Sequence, residues 1–346
     1  MLQTKDLKYL IAYSLPLSVS LGIYMQGWWC WISVILIFGI LPILEIWSPV
    51  STDNCADEAE KTRSNLLFFN VLLYLNAPIL FGIIIGFLLV SATADLQLYE
   101  WLGLMLGTGL VIGTSGINVA HELGHRTNRL EQMISKWLLL PALYQHFFIE
   151  HNRGHHKYVA TTKDPATSRK GEVLYFFWVR SIFQSWISAW NLEKARLIKA
   201  KMQIWSLKNE MIRFVIFQFA YLFLVYWYFG TSGVVSAASS ALVGILLLET
   251  VNYLEHYGLV RRLLPNGFYE PVSPAHSWNS NHELGRIFLY ELTRHSDHHY
   301  KSSRKYQVLR HLDNSPQLPF GYPTSVLIAL VPPLWFRLMN PRLPAA

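Results

Sequence analysis

Charged residues are missing from four long stretches of the chain, and those stretches predict its architecture. No Asp, Glu, Lys or Arg occurs between Lys8 and Glu45, a run of 36 residues. Further runs of 31, 21 and 35 residues separate Arg63 from Asp95, Glu100 from Glu122, and Arg213 from Glu249. About 20 apolar residues already span a bilayer. A 36-residue helix would be about 54 Å long, too long for one crossing, so the first run predicts a hairpin turning near Gln26-Gly27. The last run folds in the same way at Phe229–Gly233. The fold class expected is an all-α integral membrane protein with six transmembrane helices. They fall near residues 9–25, 28–45, 70–91, 101–121, 212–229 and 233–253, within one membrane-embedded domain, 1–346. Asn76-Ala-Pro78 predicts a kink in the third helix.

Composition supports the membrane reading over a soluble all-α protein. Apolar residues make up 52% and charged residues 15%, against roughly 25% charged in a soluble domain. This excludes a soluble enzyme and a disordered chain. The net charge is +7, and the 29 Lys and Arg residues all fall on one side of the six-helix plan. Two precede the first helix, two follow the second, 15 lie within 121–213 and 10 lie beyond 255. The positive-inside rule makes that side cytoplasmic, including segments 121–211 and 255–346. The opposite turns carry Trp28, Trp29, Trp31, Trp101, Tyr226, Trp227 and Tyr228, an aromatic belt. No small-residue cleavage site follows the first apolar run, so it is expected to be a retained helix. Met133–Ile149 is expected to lie at the interface or pack under the site, and Phe320–Arg337 is expected to be a membrane-surface segment. Glycines 103, 107, 109, 113 and 116 predict close packing of the fourth helix, with room for a chain substrate as a second use. Two cysteines cannot build a disulfide framework or a four-thiolate iron centre, and no nucleotide-binding glycine motif occurs.

The chemistry lies in the histidines. Nine of the 13 fall in four short groups: His121 and His125; His151, His155 and His156; His256; and His295, His298 and His299. On a helix, residues i and i+4 share a face, which pairs His121 with His125, His151 with His155, and His295 with His299. The adjacent His156 and His298 point about 100° away, so such a helix can serve two ions. One ion rarely takes more than six ligands, and nine histidines argue for two. His121 ends the fourth crossing and His256 follows the sixth, so all four groups gather at one membrane face. His146, His276, His282 and His311 are left outside. His121-Glu-Leu-Gly-His125 also fits the zinc-protease helix, but that reading leaves seven histidines unexplained. A non-catalytic metal transporter would instead place histidines within the crossings. All-imidazole ligation favours Zn, Cu, Fe or Ni. Two ions beside hydrocarbon point to O₂ chemistry on an apolar substrate, and so to iron, with copper left open by ligand type.

Glu122, Glu150, Asp164, Glu255 and Asp297 lie in or beside the histidine groups and are candidates to balance the metal charge. Glu249, seven residues before His256 in apolar surroundings, is the strongest of these acids. Counting back seven and eleven residues from His121 gives Thr114 and Leu110, and the same step from His256 gives Glu249 and Ile245. Leu110, Thr114 and Ile245 are therefore the expected lining of a substrate channel, with Leu110 and Ile245 about 16 Å from the ligands.

These residues also carry a resemblance. His121-Glu-Leu-Gly-His125-Arg, Glu150-His-Asn-Arg-Gly-His-His156, Asn252-Tyr-Leu-Glu-His-Tyr-Gly-Leu259 and Leu292-Thr-Arg-His-Ser-Asp-His-His299 resemble the signatures of AlkB-type alkane 1-monooxygenases. Asp164-Pro-Ala-Thr-Ser-Arg169 and His276-Ser-Trp-Asn-Ser-Asn281 match as well. The wider superfamily includes membrane fatty-acyl desaturases and hydroxylases and xylene-type monooxygenases, which remain the alternatives. The resemblance implies a bacterial inner-membrane enzyme that hydroxylates the terminal methyl of medium- or long-chain n-alkanes. It implies two non-haem irons on the cytoplasmic side, O₂, and two electrons from rubredoxin with its rubredoxin reductase. Some members carry a C-terminal rubredoxin. The sequence reaches Ala346 without one, so a separate carrier is expected.

Overall fold

The computed structural model describes residues 2–344. Five helical stretches in it are long and apolar enough to cross a membrane: α1 (Thr4–Met25), α2 (Gly27–Trp47), α3 (Leu67–Thr93), α4 (Leu98–Gly124) and the long Glu210–His256. Among the described residues, β structure is limited to isolated bridges. The chain is thus an all-helical, multi-pass membrane protein. Between α4 and the long element lie α5 (Arg129–Leu138), the short helical segment Phe147–Tyr158 and α6 (Leu174–Lys199). Glu210–His256 is α7.

α1 and α2 meet at Gln26 and Gly27, both with positive φ, and the Gly27 N–H donates to Glu100 at 2.6 Å. α7 is not straight. Gly230 has φ 65° and ψ −161°, a conformation that side-chain-bearing residues rarely adopt, and it interrupts the helix. The two ends of α7 both return to segment 151–156. Glu210 accepts from Arg153 at 3.3 Å, and the His256 ring lies 4.8 Å from that of His155. α7 is therefore a hairpin. α3 runs unbroken through Pro78, and the Asn76 side chain donates to Leu72 O at 2.8 Å.

α4 is the central element. A Cβ at Gly109 would collide with Val243 and one at Gly113 with Leu247, so these glycines let α7 lie directly against α4. Leu110–Ile112, Ile117, Val119 and Ala120 are buried in the main apolar core with Leu72, Leu73 and Leu80 of α3.

The surface segments are short and irregular. The expected interfacial stretch Met133–Ile149 begins in α5 and continues as buried turns through Tyr144. Phe320–Arg337 forms two short helices, Tyr322–Ala329 and Pro332–Met339. Trp335 is fully buried there, 5.7 Å from the Tyr253 ring, so this segment packs beneath the histidines.

Candidate metal centre

Four helical segments bring the nine clustered histidines together. α4 carries His121 in its last turn, and His125 follows directly after its end at Gly124. Segment Phe147–Tyr158 carries His151, His155 and His156. α7 ends on His256, and the short helix His295–Tyr300 carries the last three.

Local bonds hold each segment in place. The Gly258 N–H donates to Ser168 O at 3.0 Å with φ +70°, so the chain turns sharply after His256. Trp278 Nε1 donates to Tyr257 O at 2.9 Å, locking the same turn. The Ser296 N–H donates to the Asn279 side chain at 2.7 Å, which fixes the start of the last histidine helix. Arg294, just before it, donates to Leu309 O and Asp53 O, both at 2.7 Å.

The histidines divide into two groups, each with its nitrogens within 4.8 Å of one another. One holds His121, His125, His151, His156 and His298, and the other His155, His256, His295 and His299. In the first, His151 Nε2 lies 3.1 Å from His125 Nε2 and 3.0 Å from His156 Nε2, and His298 Nε2 lies 3.1 Å from His156 Nε2. In the second, His299 Nε2 lies 3.1 Å from His155 Nε2 and 2.9 Å from His295 Nε2, and the latter is 3.2 Å from His256 Nε2.

The donor set fits metal ions. A metal–imidazole bond of about 2.1 Å sets ligands at right angles about 3.0 Å apart, the spacing found here. His151 Nε2 faces two other ring nitrogens at once, yet a neutral ring has at most one proton to place there. His121 Nε2 is buried without a hydrogen-bond partner. Burial, reinforced by the neighbouring rings, holds His151, His156, His295, His298 and His299 well below the usual imidazole range, and His125 at about 3. Neutral rings aimed at shared centres are what a soft or borderline cation requires.

The grouping departs from simple helical spacing. His151 and His155 sit on opposite sides of the divide, while His151 and His156 share a group. Residues His151–His155 form a π-helical turn, which brings i and i+5 together where α-helical spacing pairs i with i+4. A second π turn, Ile112–Asn118, lies just before His121 and shifts the phase of α4.

The acids near the motifs play different parts. Asp164 Oδ2 lies 2.9 Å from His155 Nδ1 and accepts the Thr167 hydroxyl at 2.5 Å. Burial opposes charge on His155, but the Asp164 carboxylate outweighs it and raises that ring's pKa, while Asp164 itself is lowered. Glu255 Oε2 lies 3.2 Å from His295 Nε2, and its Oε1 accepts from Tyr322 at 2.8 Å. Glu150 is pushed up to about 8 by burial and by Asp164. Glu249 accepts from Tyr144 at 2.8 Å. Glu122 is bound by Arg126 at 2.5 Å and Asp297 by Arg304 at 2.5 Å, so both are satisfied away from the rings. Thr167 lay within the Asp164–Arg169 motif, whereas Tyr144 and Tyr322 had no sequence signal, because nothing in their spacing marks them.

His146, His276, His282 and His311 lie outside both groups. His146 is buried against Tyr144 and Trp186 with both ring nitrogens unpartnered. His276 meets Glu270 at 3.3 Å, His282 meets Ser280 at 3.1 Å, and His311 meets Asn281 at 3.0 Å.

A largely apolar cavity opens on His121, His151 and His295, and so on both groups. Its walls away from the rings are apolar, including Leu15, Phe38, Leu41, Leu247 and Phe288. Leu110 and Thr114 line it; Ile245 does not, and α7 contributes Leu247, Leu248, Val251 and Asn252 instead.

Comparison with known proteins bears on the site. A family model described as fatty acid desaturase matches residues 98–326, which contain every clustered histidine. The chain is 38% identical to alkane 1-monooxygenase 2 of Pseudomonas aeruginosa, over 96% of its own length and 89% of the relative's. It is 38% identical to alkane 1-monooxygenase 1 of Alcanivorax borkumensis, over 94% and 82% respectively. The hydroxylase component XylM of a xylene/toluene monooxygenase from Pseudomonas putida is 27% identical over 96% and 88%.

Proposed function

This chain belongs to the membrane alkane 1-monooxygenases of the fatty acid desaturase family, and from that premise we propose that it hydroxylates the terminal methyl of medium- and long-chain n-alkanes to primary alcohols. The observation that carries this reading is the apolar cavity ending on both histidine groups. Two non-haem irons would be held by His121, His125, His151, His156 and His298 on one side and by His155, His256, His295 and His299 on the other. When bound, they would supply the two-electron activation of O₂ that C–H hydroxylation needs.

The protein's own residues do the positioning. Leu110, Leu247, Leu248 and Phe288 enclose the chain, and Gly113 lets Leu247 of α7 pack directly against α4 at the cavity wall. The primary C–H bond is the strongest in an alkane, so terminal selectivity has to come from placement of the methyl. Asp164 fixes the His155 ring through Nδ1. Glu255, held by Tyr322, offers an oxygen at the cavity wall beside His295 where a proton can be held or passed. The polar wall residues cluster near the rings or are already engaged, as Asn118 is with Leu289 O at 3.0 Å. The cavity thus offers no separate polar end for an acyl head group, which favours an alkane over a fatty-acyl substrate.

The α7 hairpin makes six crossings of the five long helical stretches. The one-sided distribution of 29 Lys and Arg then puts the histidines on the cytoplasmic face of a bacterial inner membrane. Electrons arrive there from an acidic rubredoxin-type carrier, itself served by a rubredoxin reductase, whose encounter is steered by that basic face. The test is to count iron in purified protein and supply octane, hexadecane and a fatty-acyl substrate with a rubredoxin system at several salt concentrations. The expected products are 1-octanol and 1-hexadecanol, with KM for the carrier rising with ionic strength. Turnover of the acyl substrate alone, or turnover with NADH and no carrier, would contradict it.

A further inference from the structure

A second, more open cavity of about 430 Å³ lies beside the metal centre and has the opposite character. It is lined by Lys136, Arg153, Arg196, Lys208 and Arg213, with only Glu210 as an acid in its wall. Glu193, fully buried behind it, accepts from Arg153 at 2.9 Å and Arg196 at 2.6 Å. Glu210 accepts from Lys136 at 2.5 Å and Arg213 at 3.0 Å. Five cations therefore face two carboxylates, and Lys208 makes no ion pair among the described residues.

The position of this cavity identifies what it meets. Glu210 and Arg213 are in the first turn of a membrane-spanning helix, so the cavity sits at the level where hydrocarbon gives way to headgroups. Trp137 and Phe217, each nearly half exposed, lie 5.9 Å apart below it. Trp205 is 81% exposed and Leu207 66% on its rim. Exposed indoles beside a membrane span are interfacial anchors. Lys208 is exposed and Arg153, Arg196 and Arg213 are partly exposed, so cations and apolar side chains share one surface at the membrane edge, the combination that the phosphate and acyl chains of a lipid present together.

We propose that this cavity binds the phosphodiester headgroup of an anionic glycerophospholipid, with its acyl chains along the Trp137–Phe217 face. The phosphate meets Lys208, Arg196 and Arg213, while Glu193 and Glu210 keep Arg153 in place. Arg153 lies between His151 and His155, so an occupied cavity also steadies the segment that serves both histidine groups. The site is independent of the reaction proposed above, since it requires neither iron nor alkane.

Native mass spectrometry of the full chain, titrated with phosphatidylglycerol and with phosphatidylcholine, tests this. The wild type should retain one phosphatidylglycerol in preference to phosphatidylcholine. Each basic residue near an anionic surface contributes about five-fold in affinity. Lys208→Gln with Arg213→Gln should therefore weaken phosphatidylglycerol about 25-fold and leave phosphatidylcholine unchanged. Lys208→Gln alone, which breaks no ion pair, should give about five-fold even if the double variant folds poorly. Lys199→Gln with Lys201→Gln, the same charge change on a neighbouring exposed turn, should have no effect. Equal binding of the two lipids by the wild type, or an unchanged preference in Lys208→Gln, overturns the proposal. So does displacement of the lipid by inorganic phosphate alone, which would make this a free-anion site. A raised KM for an acidic electron carrier with lipid preference intact would make it a protein dock and equally overturn it.

Discussion

The two histidine groups share two of their four supporting segments, yet their surroundings differ. The group of His155, His256, His295 and His299 is buried throughout, and two carboxylates touch its rings, Asp164 at His155 and Glu255 at His295. The group of His121, His125, His151, His156 and His298 has five rings and, among the described residues, no carboxylate within hydrogen-bond reach of them. His125 and His156 in it are only partly buried. An ion held by the smaller group would have its charge balanced by nearby anions, whereas one held by the larger group would rely on an additional neutral ligand. Ions in such unlike environments should differ in affinity and in redox behaviour.

The largest effects should come from removing ligands. His256→Ala leaves three rings in the smaller group and His125→Ala leaves four in the larger. Both should cut activity by more than about 100-fold, since even supporting residues cost 10–100-fold. His256→Ala should lose its iron more completely, and metal analysis of the two purified variants reads the difference. Normal iron and full activity in either would break the comparison. Asp164→Asn removes the carboxylate but keeps the shape. It should weaken one of the two irons about 10–100-fold, seen as faster loss of half the metal to a chelator, with the other half unaffected.

A change in the alkane cavity should spare both groups. Leu110→Trp narrows the wall where α4 faces the cavity and should lower activity on hexadecane about ten-fold relative to octane, with iron content intact. Leu110→Ala should shift the preference the other way, and gas chromatography of the alcohols measures both. An unchanged chain-length profile in both variants would place the pocket on other helices.

His146 provides the smallest and cleanest control, a buried histidine outside both groups. Burial holds its pKa down at about 3, so it is neutral in the fold and protonates below about 6.5 when unfolded. The unfolded state then binds more protons, and stability falls as pH drops below that value. The depressed rings of the metal groups act in the same direction in metal-free protein. His146→Phe should flatten this loss by about one proton, roughly 1.4 kcal/mol per pH unit, without altering iron content. Thermal unfolding of metal-free protein between pH 7.5 and 5.5 would show it.

Much of this was readable from the chain. The charge-free runs marked every long apolar helix and both hairpin turns, because a bilayer tolerates few charges and a break needs Gly27 or Gly230. The nine histidines stood out by their spacing. Their division between two groups did not, because the π turn His151–His155 pairs i with i+5. The turn Ile112–Asn118 shifts the phase of α4, yet Leu110 and Thr114, counted back from His121, both line the cavity. Along α7, counting by 3.6 pointed to Ile245, whereas the wall is formed by Leu247, Leu248, Val251 and Asn252. α6 was missed as an element. Its exposed Phe176, Val179, Phe183 and Ile187 recur every three to four residues, but its charges hid it among the basic segments. Of the acids, spacing ranked Glu249 first, but Asp164 and Glu255 are the ones that touch rings.

The central claim is that nine histidines hold two irons in unlike sites. Mössbauer spectroscopy of protein loaded with isotopically enriched ferrous iron tests it most directly. The account predicts two irons per chain and two quadrupole doublets of equal area with different parameters. Asp164→Asn should shift one of those doublets and leave the other in place. One iron per chain, or a pair of irons that Asp164→Asn perturbs equally, would contradict it.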